Sequence, residues 1–202
     1  DGLYACKVTN NAGAVFLDRD TGGGHFQLNG GTEFLVSFWM RSAGDAPIAM
    51  TGQVQPFNSN PTYMPPATNI FSTIFANPVP TDWTYYEGTY VPEDGVTEIS
   101  LRFDSPTGSA YIIDDVKVID TATNENIIPN GSFEEWGEGA TVAGSGDVLV
   151  ADNGIPNTWR FVSLNGGDGV IERIGGTITN AQEGMYAAKV TRITGGGDSA
   201  FD

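Results

Sequence analysis

Apolar side chains that alternate with period two are the feature that most constrains this fold. Residues 34–41 read FLVSFWMR, with a large apolar side chain at every second position. Successive side chains of a strand point to opposite faces, so this pattern places one face against a core. The pattern recurs at 97–103, and further strands are expected at 83–91, 110–119 and 186–191. No long segment repeats its apolar residues at helical spacing, and 27 Gly and 11 Pro suit short strands joined by turns. The sequence predicts an all-β protein with an antiparallel β-sandwich.

A long segment rich in proline and asparagine separates two of these strands. It runs from Gly44 to Asp82. Two short apolar runs inside it, at 48–50 and 70–75, are expected to pair as strands. Residues 55–66 between them are then expected to form an exposed loop.

The charge balance excludes several classes of partner. The chain has 25 acidic and 9 basic residues, a net charge of −16. Such a surface repels nucleic acid and anionic lipid, and it is compatible with hard cations and neutral glycans. Because of this charge we do not expect nucleic-acid binding. No apolar run is long enough to cross a membrane, so we do not expect membrane insertion either.

Side chains for catalysis are scarce. Cys6 and His25 are the single cysteine and the single histidine, which excludes an internal disulfide, a cysteine-based metal site and a histidine cluster. His25 follows three glycines and is expected to be a solvated loop residue. The acidic pairs are sequence neighbours, which is not the spacing that glycoside hydrolysis needs. We therefore predict a protein that is not an enzyme.

The strongest internal feature is a self-match between two distant segments. Residues 1–9 read DGLYACKVT and residues 183–191 read EGMYAAKVT, with six of nine positions identical. The separation of 182 residues is about one domain length, which predicts a tandem repeat. Because Ala188 replaces Cys6 in the second copy, Cys6 is expected to fill space in the core and not to act as a nucleophile.

The repeat predicts an unusual domain organisation. Residues 1–122 are expected to be the C-terminal part of one repeat, and residues 128–202 the N-terminal part of the next. Residues 123–127 form a short polar connector between them, too short to hold the domains far apart. The sequence thus predicts that these residues comprise the end of one repeat and the start of the next in an extended array.

Several short motifs follow one another in a recognisable order when the chain is read from residue 130 and wrapped to residue 119. They are NGSFE (130–134), Trp159, EGMYAAKV (183–190), VSFW (36–39), WTYY (83–86) and YIIDDV (111–116). This ordered set resembles the carbohydrate-binding-module and galactose-binding-like jelly-roll superfamily. The resemblance covers nearly the whole chain and implies a jelly-roll β-sandwich. It indicates function weakly, because that fold hosts glycan binding, adhesion and spacing.

The resemblance also implies a structural calcium ion. In similar jelly rolls the ion ties the first strand to the last, which here points to Glu134 with Asp114 and Asp115. Adjacent aspartates of a strand point to opposite faces, and Asp114 shares its parity with Val116 and Val118. An inward carboxylate needs a cation or hydrogen bonds, whereas a solvated edge-strand pair is the alternative. Asp114 and Glu134 belong to different repeats, so they need not share a site.

Candidate ligand-binding residues lie on the face opposite Phe38. Trp39 and Arg41 share that face, which often forms a sugar-binding groove in a jelly roll. An indole stacks on a pyranose ring and an arginine donates to hydroxyls. The alternative is that Trp39 fills space under a loop. Further candidates of the same kind are Tyr85, Arg102, Phe57 and Tyr63.

These observations predict a non-catalytic extracellular module of a tandem-repeat surface adhesin or fibre, of carbohydrate-binding type. The alternative is a carbohydrate-binding module accessory to a secreted polysaccharide-degrading enzyme. The expected partners are a glycan or cell-surface polysaccharide, and neighbouring repeats or identical chains in an extended array. The expected location is extracellular or on the cell surface.

Overall fold

The described part of the chain consists almost entirely of β-strands. A computed structural model describes residues 5–10, 14–17, 25–60, 62–105, 108–137, 142–144, 148–150, 155–156, 161–163, 169–175, 186–189 and 199–201. The elements are β1 (Ala5–Asn10), β2 (Ala14–Leu17), β3 (Phe26–Gln27), β4 (Phe34–Ser42), β5 (Thr51–Phe57), β6 (Thr68–Asn69), α1 (Ile70–Thr73), β7 (Thr84–Tyr90), β8 (Glu98–Asp104), β9 (Ser109–Asp120), β10 (Glu125–Asn126), β11 (Trp136–Gly137), β12 (Val142–Gly144), β13 (Val148–Val150), β14 (Ile155–Pro156), β15 (Phe161–Ser163), β16 (Gly169–Gly175), β17 (Tyr186–Lys189) and β18 (Ser199–Phe201).

Two sheets dominate the described residues. The larger has eight strands, with the order β13-β16-β1-β9-β4-β7, β10 paired to β9 and β17 paired to β16. The smaller has five, with the order β2-β8-β5-β6 and β3 paired to β8. Pairing is antiparallel throughout both sheets except between β13 and β16. Two minor sheets join β11 to β14, and β12 to β15 and β18.

One hydrophobic core lies between the two main sheets. Phe38 of β4 is at its centre, with ring centroids 5.1 Å from Phe103 of β8 and 5.3 Å from Tyr86 of β7. Phe71 of α1 and Phe75, just after it, also pack on Phe38, at 6.0 and 5.0 Å. Rings from both sheets meet in edge-to-face pairs, so the predicted all-β sandwich is confirmed.

The alternating segments form strands where the sequence predicted them. The patterns at 34–41, 83–91, 97–103 and 110–119 correspond to β4, β7, β8 and β9. Along β4 the residues Phe34, Val36, Phe38 and Met40 are fully buried. Cys6 is also fully buried, as its replacement by alanine in the second copy indicated.

The pairing predicted inside the 44–82 segment is wrong. Ile48 forms a bridge with Val79 instead of with the 70–75 run, and residues 70–73 form the short helix α1. Close packing of the segment that follows α1 against β7 explains this arrangement. A Cβ on Gly88 of β7 would lie 1.8 Å from Ile74, so only glycine leaves room for that segment.

The predicted connector forms a tight return along β9. A turn at residues 121–124 is closed by the Asn124 N–H, which donates to Asp120 O at 2.8 Å, and β10 then pairs back on β9. β1, from the first predicted part, pairs with β16 from the second. The domain boundaries and the tandem repeat stay predictions, and residues 1–4, 159, 183–185 and 190–191 of the motifs lie outside the described residues.

No helix in the described part of the chain combines the length and apolar character needed to span a bilayer.

Candidate functional site: two sheet faces

The predicted ligand residues fall on two separate outer faces of the sandwich. Trp39, Arg41 and Tyr85 belong to the eight-stranded sheet, on what we call the Trp39 face, together with Ser37 and Glu87. The other candidates belong to the five-stranded sheet, on what we call the Phe57 face. Its members are Gln53, Gln55 and Phe57 of β5, Glu98 of β8, and the neighbouring His25 and Tyr63. Arg102 takes the register position opposite Gln53 on that sheet.

A short hairpin positions the aromatic pair of the Phe57 face. Phe57 ends β5 and forms an antiparallel bridge with Tyr63. The Met64 N–H donates to Pro56 O at 2.8 Å beside this bridge. Inside the turn, Asn58 Oδ1 accepts the N–H groups of Asn60 and Thr62 at 3.0 and 3.1 Å. An asparagine that bonds the backbone ahead of it stabilises such a turn.

The Tyr63 ring is both exposed and fixed in orientation. Its exposed fraction is 43 %, and its centroid lies 5.8 Å from that of Phe57 at an angle of 57°. The Ala67 N–H donates to the Tyr63 hydroxyl oxygen at 3.1 Å, which holds the far end of the side chain. A ring held in one orientation loses little conformational entropy when it binds a ligand.

His25 supports the other side of Phe57, a role that sequence reasoning missed. The two rings stack with centroids 3.6 Å apart and an angle of 19°. His25 Nδ1 lies 3.0 Å from Glu98 Oε2, and the two side chains are only 11 % and 13 % exposed. His25 is therefore not the solvated loop residue that its glycine neighbours indicated. No local signal shows its partner, which lies 73 residues away.

Two glutamines continue the Phe57 face along β5. Gln55 Nε2 donates to Gln53 Oε1 at 3.2 Å, and both side chains are half-buried. The second polar atom of each amide, Gln53 Nε2 and Gln55 Oε1, makes no hydrogen bond within the described residues. The face thus offers one donor and one acceptor beside the aromatic pair, an arrangement suited to hydroxyl groups.

The Trp39 face has aromatic residues too, but its polar groups bond one another. The centroids of Trp39 and Tyr85 are 5.1 Å apart, and Tyr85 is 45 % exposed. The Tyr85 hydroxyl donates to Glu87 Oε2 at 2.8 Å and also bonds the side chain of Ser37. Partial burial, followed by the bond to Ser37 that opposes it and the contact with Glu87 that adds to it, raises the pKa of Tyr85.

Arg41 packs inward on this face. Its guanidinium carbon lies 5.5 Å from the ring centre of Trp83, a cation–π contact, and its Nη1 donates to Ser42 O at 3.5 Å. Burial lowers the pKa of Arg41, and the charge of Asp82 opposes that shift. Arg41 Nε and Trp83 Nε1 are buried without a hydrogen-bond partner in the described structure.

A β-bulge places Asp114 on a different face from the one its parity predicted. The register between β4 and β9 shifts between Ser37 and Trp39, and Asp115 takes a left-handed backbone with φ of 51°. Asp114 is therefore paired with Trp39, although Val116 and Val118 point into the core. The parity argument was wrong because a bulge adds one residue and reverses the alternation.

A backbone hydrogen bond brings the loop that carries Glu134 to the part of β9 that carries Asp114 and Asp115. Val116 N–H donates to Gly131 O at 2.8 Å, which attaches the loop that carries Glu134 to β9 two residues beyond Asp114. Asp115 accepts a hydrogen bond from Lys117 Nζ at 2.5 Å. The described residues contain no group of three or more metal-ligating His, Cys, Asp or Glu side chains. The carboxylates described do not by themselves supply the six to eight oxygens that calcium takes, and the metal site stays a prediction.

Comparison with known proteins finds similarity to solved structures at low identity. No family model matches the sequence, and no curated protein matches it. The apo carbohydrate-binding module PbXyn10C CBM is 19 % identical with a TM-score of 0.44, over 69 % of this chain and 80 % of that one. The solved Family 16 Carbohydrate Binding Module-2 is 14 % identical with a TM-score of 0.38, over 57 % of this chain and 75 % of that one.

A third solved structure is the CBM22-1 xylan-binding domain from Paenibacillus barcinonensis. It is 17 % identical with a TM-score of 0.31, over 48 % of this chain and 57 % of that domain. All three are carbohydrate-binding modules, the class that the sequence motifs resemble.

Proposed function

We propose that this chain is a non-catalytic module that binds a neutral glycan through the Phe57 face. The observation that supports this most strongly is the exposed, oriented Tyr63 ring beside two glutamine amides whose second polar atoms have no hydrogen-bond partner among the described residues. An aromatic ring packs on the apolar side of a sugar ring, and amides exchange hydrogen bonds with its hydroxyls. Arg102 is a further contact of the same face in this proposal.

The charge of the chain favours a neutral glycan over an acidic one. The net charge is −16, and Glu98 is the acidic member of the Phe57 face. A polyanionic glycan is repelled by such a surface, most strongly at low ionic strength where screening is weak. Neutral polysaccharides carry no such cost.

A binding screen tests the proposal. The chain is applied to immobilised neutral and acidic polysaccharides, and the Kd for the best glycan is then measured by calorimetry. Tyr63→Ala should weaken binding at least about tenfold, because truncating an aromatic hot spot costs about 2 kcal/mol or more and about 1.4 kcal/mol corresponds to a factor of ten in Kd. Tyr85→Ala is the matched control on the Trp39 face and should change Kd less than about twofold.

Two outcomes would contradict this assignment in different ways. Silence of the wild-type chain on every glycan would remove the binding function. Loss of binding in Tyr85→Ala with retention in Tyr63→Ala would move the site to the Trp39 face, where the sequence placed it with Trp39 and Arg41.

We further propose that the module is extracellular and belongs to an extended array in a surface adhesin or fibre. The match between residues 1–9 and 183–191 supports this setting, since it is the sequence signature of tandem repeats. An accessory module of a secreted polysaccharide-degrading enzyme is the second setting, and the resemblance of the motifs to carbohydrate-binding modules favours it. Sequencing the complete gene separates the two through the domains that it encodes beside this one.

A further inference from the structure

The two copies of the repeated strand pair with the same partner in the same register. β1 and β17 both lie antiparallel to β16. Lys7 and Lys189 are each opposite Glu172, and Cys6 and Ala188 are each opposite Arg173. These are the positions that the self-match aligns with each other. β16 therefore pairs with both copies, and the positions shared by the two copies face the same residues of β16.

β1 lies between two neighbouring strands of the sheet, β16 and β9. On its other side β1 pairs with β9, with Cys6 opposite Ile113 and Lys7 opposite Ile112. β17 also lies close to β1 and to β9, besides pairing with β16. We call the space between β16 and β9 the β1 slot. The chain thus carries two versions of one strand near a slot that holds one of them.

The residue that differs between the copies favours β1 in this slot. Cys6 is fully buried in the core, and Ala188 is its counterpart. Placing Ala188 there would remove one sulfur atom from a closely packed interior and leave a small cavity. Along the rest of the strand Ala, Lys, Val and Thr are identical in the two copies, and Asn10 is replaced by Arg192. β1 is therefore preferred, and β17 is a slightly weaker substitute.

We propose that β17 of one chain enters the β1 slot of a second copy of this chain. Such an exchange reproduces the cross-strand pairs present within one chain, so the two arrangements differ little in pairing energy. The donor strand and the acceptor slot are different surfaces, so a one-way exchange continues head-to-tail, whereas a reciprocal exchange closes as a swapped dimer. The proposal depends on the extended array described above, and it is independent of glycan binding, which the Kd measurements report separately.

A complementation experiment tests the exchange. Lys7→Pro and Lys189→Pro each disable one copy, since proline removes a ladder N–H from the middle of a sheet. The double variant has a slot and no competent strand, so it serves as a fluorescently labelled acceptor. Wild type, with β1 in its own slot and β17 to donate, should form a stable complex with this acceptor when the two are refolded together. The single variant Lys189→Pro, which keeps β1 and lacks a donor, should not.

Each outcome of this experiment is decisive. Complex formation with wild type alone supports the exchange. If neither chain binds the acceptor, or if Lys189→Pro binds it as well as wild type does, the exchange is overturned.

A second measurement does not depend on the folding of the double variant. In sedimentation under reducing conditions, Lys7→Pro, which has a competent β17 and no competent β1, should show a concentration-dependent oligomer that Lys189→Pro lacks. Adding Ala188→Cys to Lys7→Pro should raise the oligomer fraction at least about twofold, because the donor then has the buried thiol of β1. A Lys7→Pro chain that remains monomeric at every concentration, or an oligomer that Lys189→Pro also forms, would overturn the proposal.

Discussion

The Phe57 face and the Trp39 face have similar aromatic residues but differ in what their polar groups bond. On the Trp39 face the Tyr85 hydroxyl bonds Glu87 and Ser37, and the atoms without a partner in the described structure, Arg41 Nε and Trp83 Nε1, are buried. On the Phe57 face the two glutamines bond each other through one atom each, and the second polar atom of each half-buried amide has no partner among the described residues. Aromatic content alone therefore does not identify a sugar site. Hydrogen-bonding capacity on side chains that are not fully buried distinguishes the two faces.

The largest expected difference between the faces concerns stability. Trp39 is half-buried against Tyr85, whereas Tyr63 is 43 % exposed on a hairpin. Trp39→Ala should lower the free energy of unfolding by about 2 kcal/mol, since truncating a large packed ring leaves a cavity. For a chain of this size this corresponds to a melting temperature about 4–8 °C lower. Tyr63→Ala should stay within about 0.5 kcal/mol of wild type.

Denaturant unfolding of the two variants checks this difference. Glycan binding by the folded Trp39→Ala chain should persist. Equal losses of stability in both variants would contradict the assignment of a structural role to one face and a binding role to the other.

The second expected effect concerns the amides. Gln53→Ala and Gln55→Ala should each weaken glycan binding by about two- to tenfold, as expected for about 0.5–1.5 kcal/mol per hydrogen bond. The effect should appear mainly in calorimetric Kd, with little change in melting temperature. Glu87→Gln on the Trp39 face is the matched control and should leave Kd unchanged. Glutamine variants that bind as wild type does would show that the amides are not part of the site.

Some features of the two faces could be predicted from the sequence and others could not. Alternation located β4, β7, β8 and β9, because burial on one face leaves a period of two in the residues themselves. Alternation did not predict the sheet face on which Asp114 lies. The bulge at Asp115 depends on backbone conformation and leaves no mark in the alternation. Alternation did not pair His25 with Glu98 either, since a contact across 73 residues arises only from the sheet register.

A third expected effect is alkaline destabilisation from the tyrosines of β7. Burial, with the charge of Glu93 as the second cause, raises the pKa of Tyr90 from 10.0 to about 12. Burial also raises the pKa of Tyr86, and it is the largest cause of the raised pKa of Tyr85. The folded chain holds these protons more tightly than the unfolded chain does. The stability that they contribute is therefore complete below pH 10 and is lost as the pH rises toward about 12.

Unfolding free energies measured between neutral pH and pH 12 check this expectation. Tyr90→Phe should flatten the alkaline fall in stability, because phenylalanine has no proton to release. Gln53→Ala, which removes no ionisable group from the other face, should keep the slope of wild type. A slope that Tyr90→Phe leaves unaltered would show that this tyrosine does not cause the alkaline loss.

The smallest expected effect concerns the calcium ion that is predicted at Asp114 and Glu134. Asp115, the third predicted ligand, already bonds Lys117, which weakens the case for its taking part. A weak site should raise stability by mass action, by about 1.4 kcal/mol at a calcium concentration ten times Kd. The melting temperature should then rise with calcium and fall back with EDTA. Glu134→Gln should abolish the rise, whereas Tyr63→Ala and Tyr85→Ala should both retain it, because neither tyrosine is a predicted ligand. A melting curve that calcium does not move would remove the ion site and leave the assignment of the two faces unaffected.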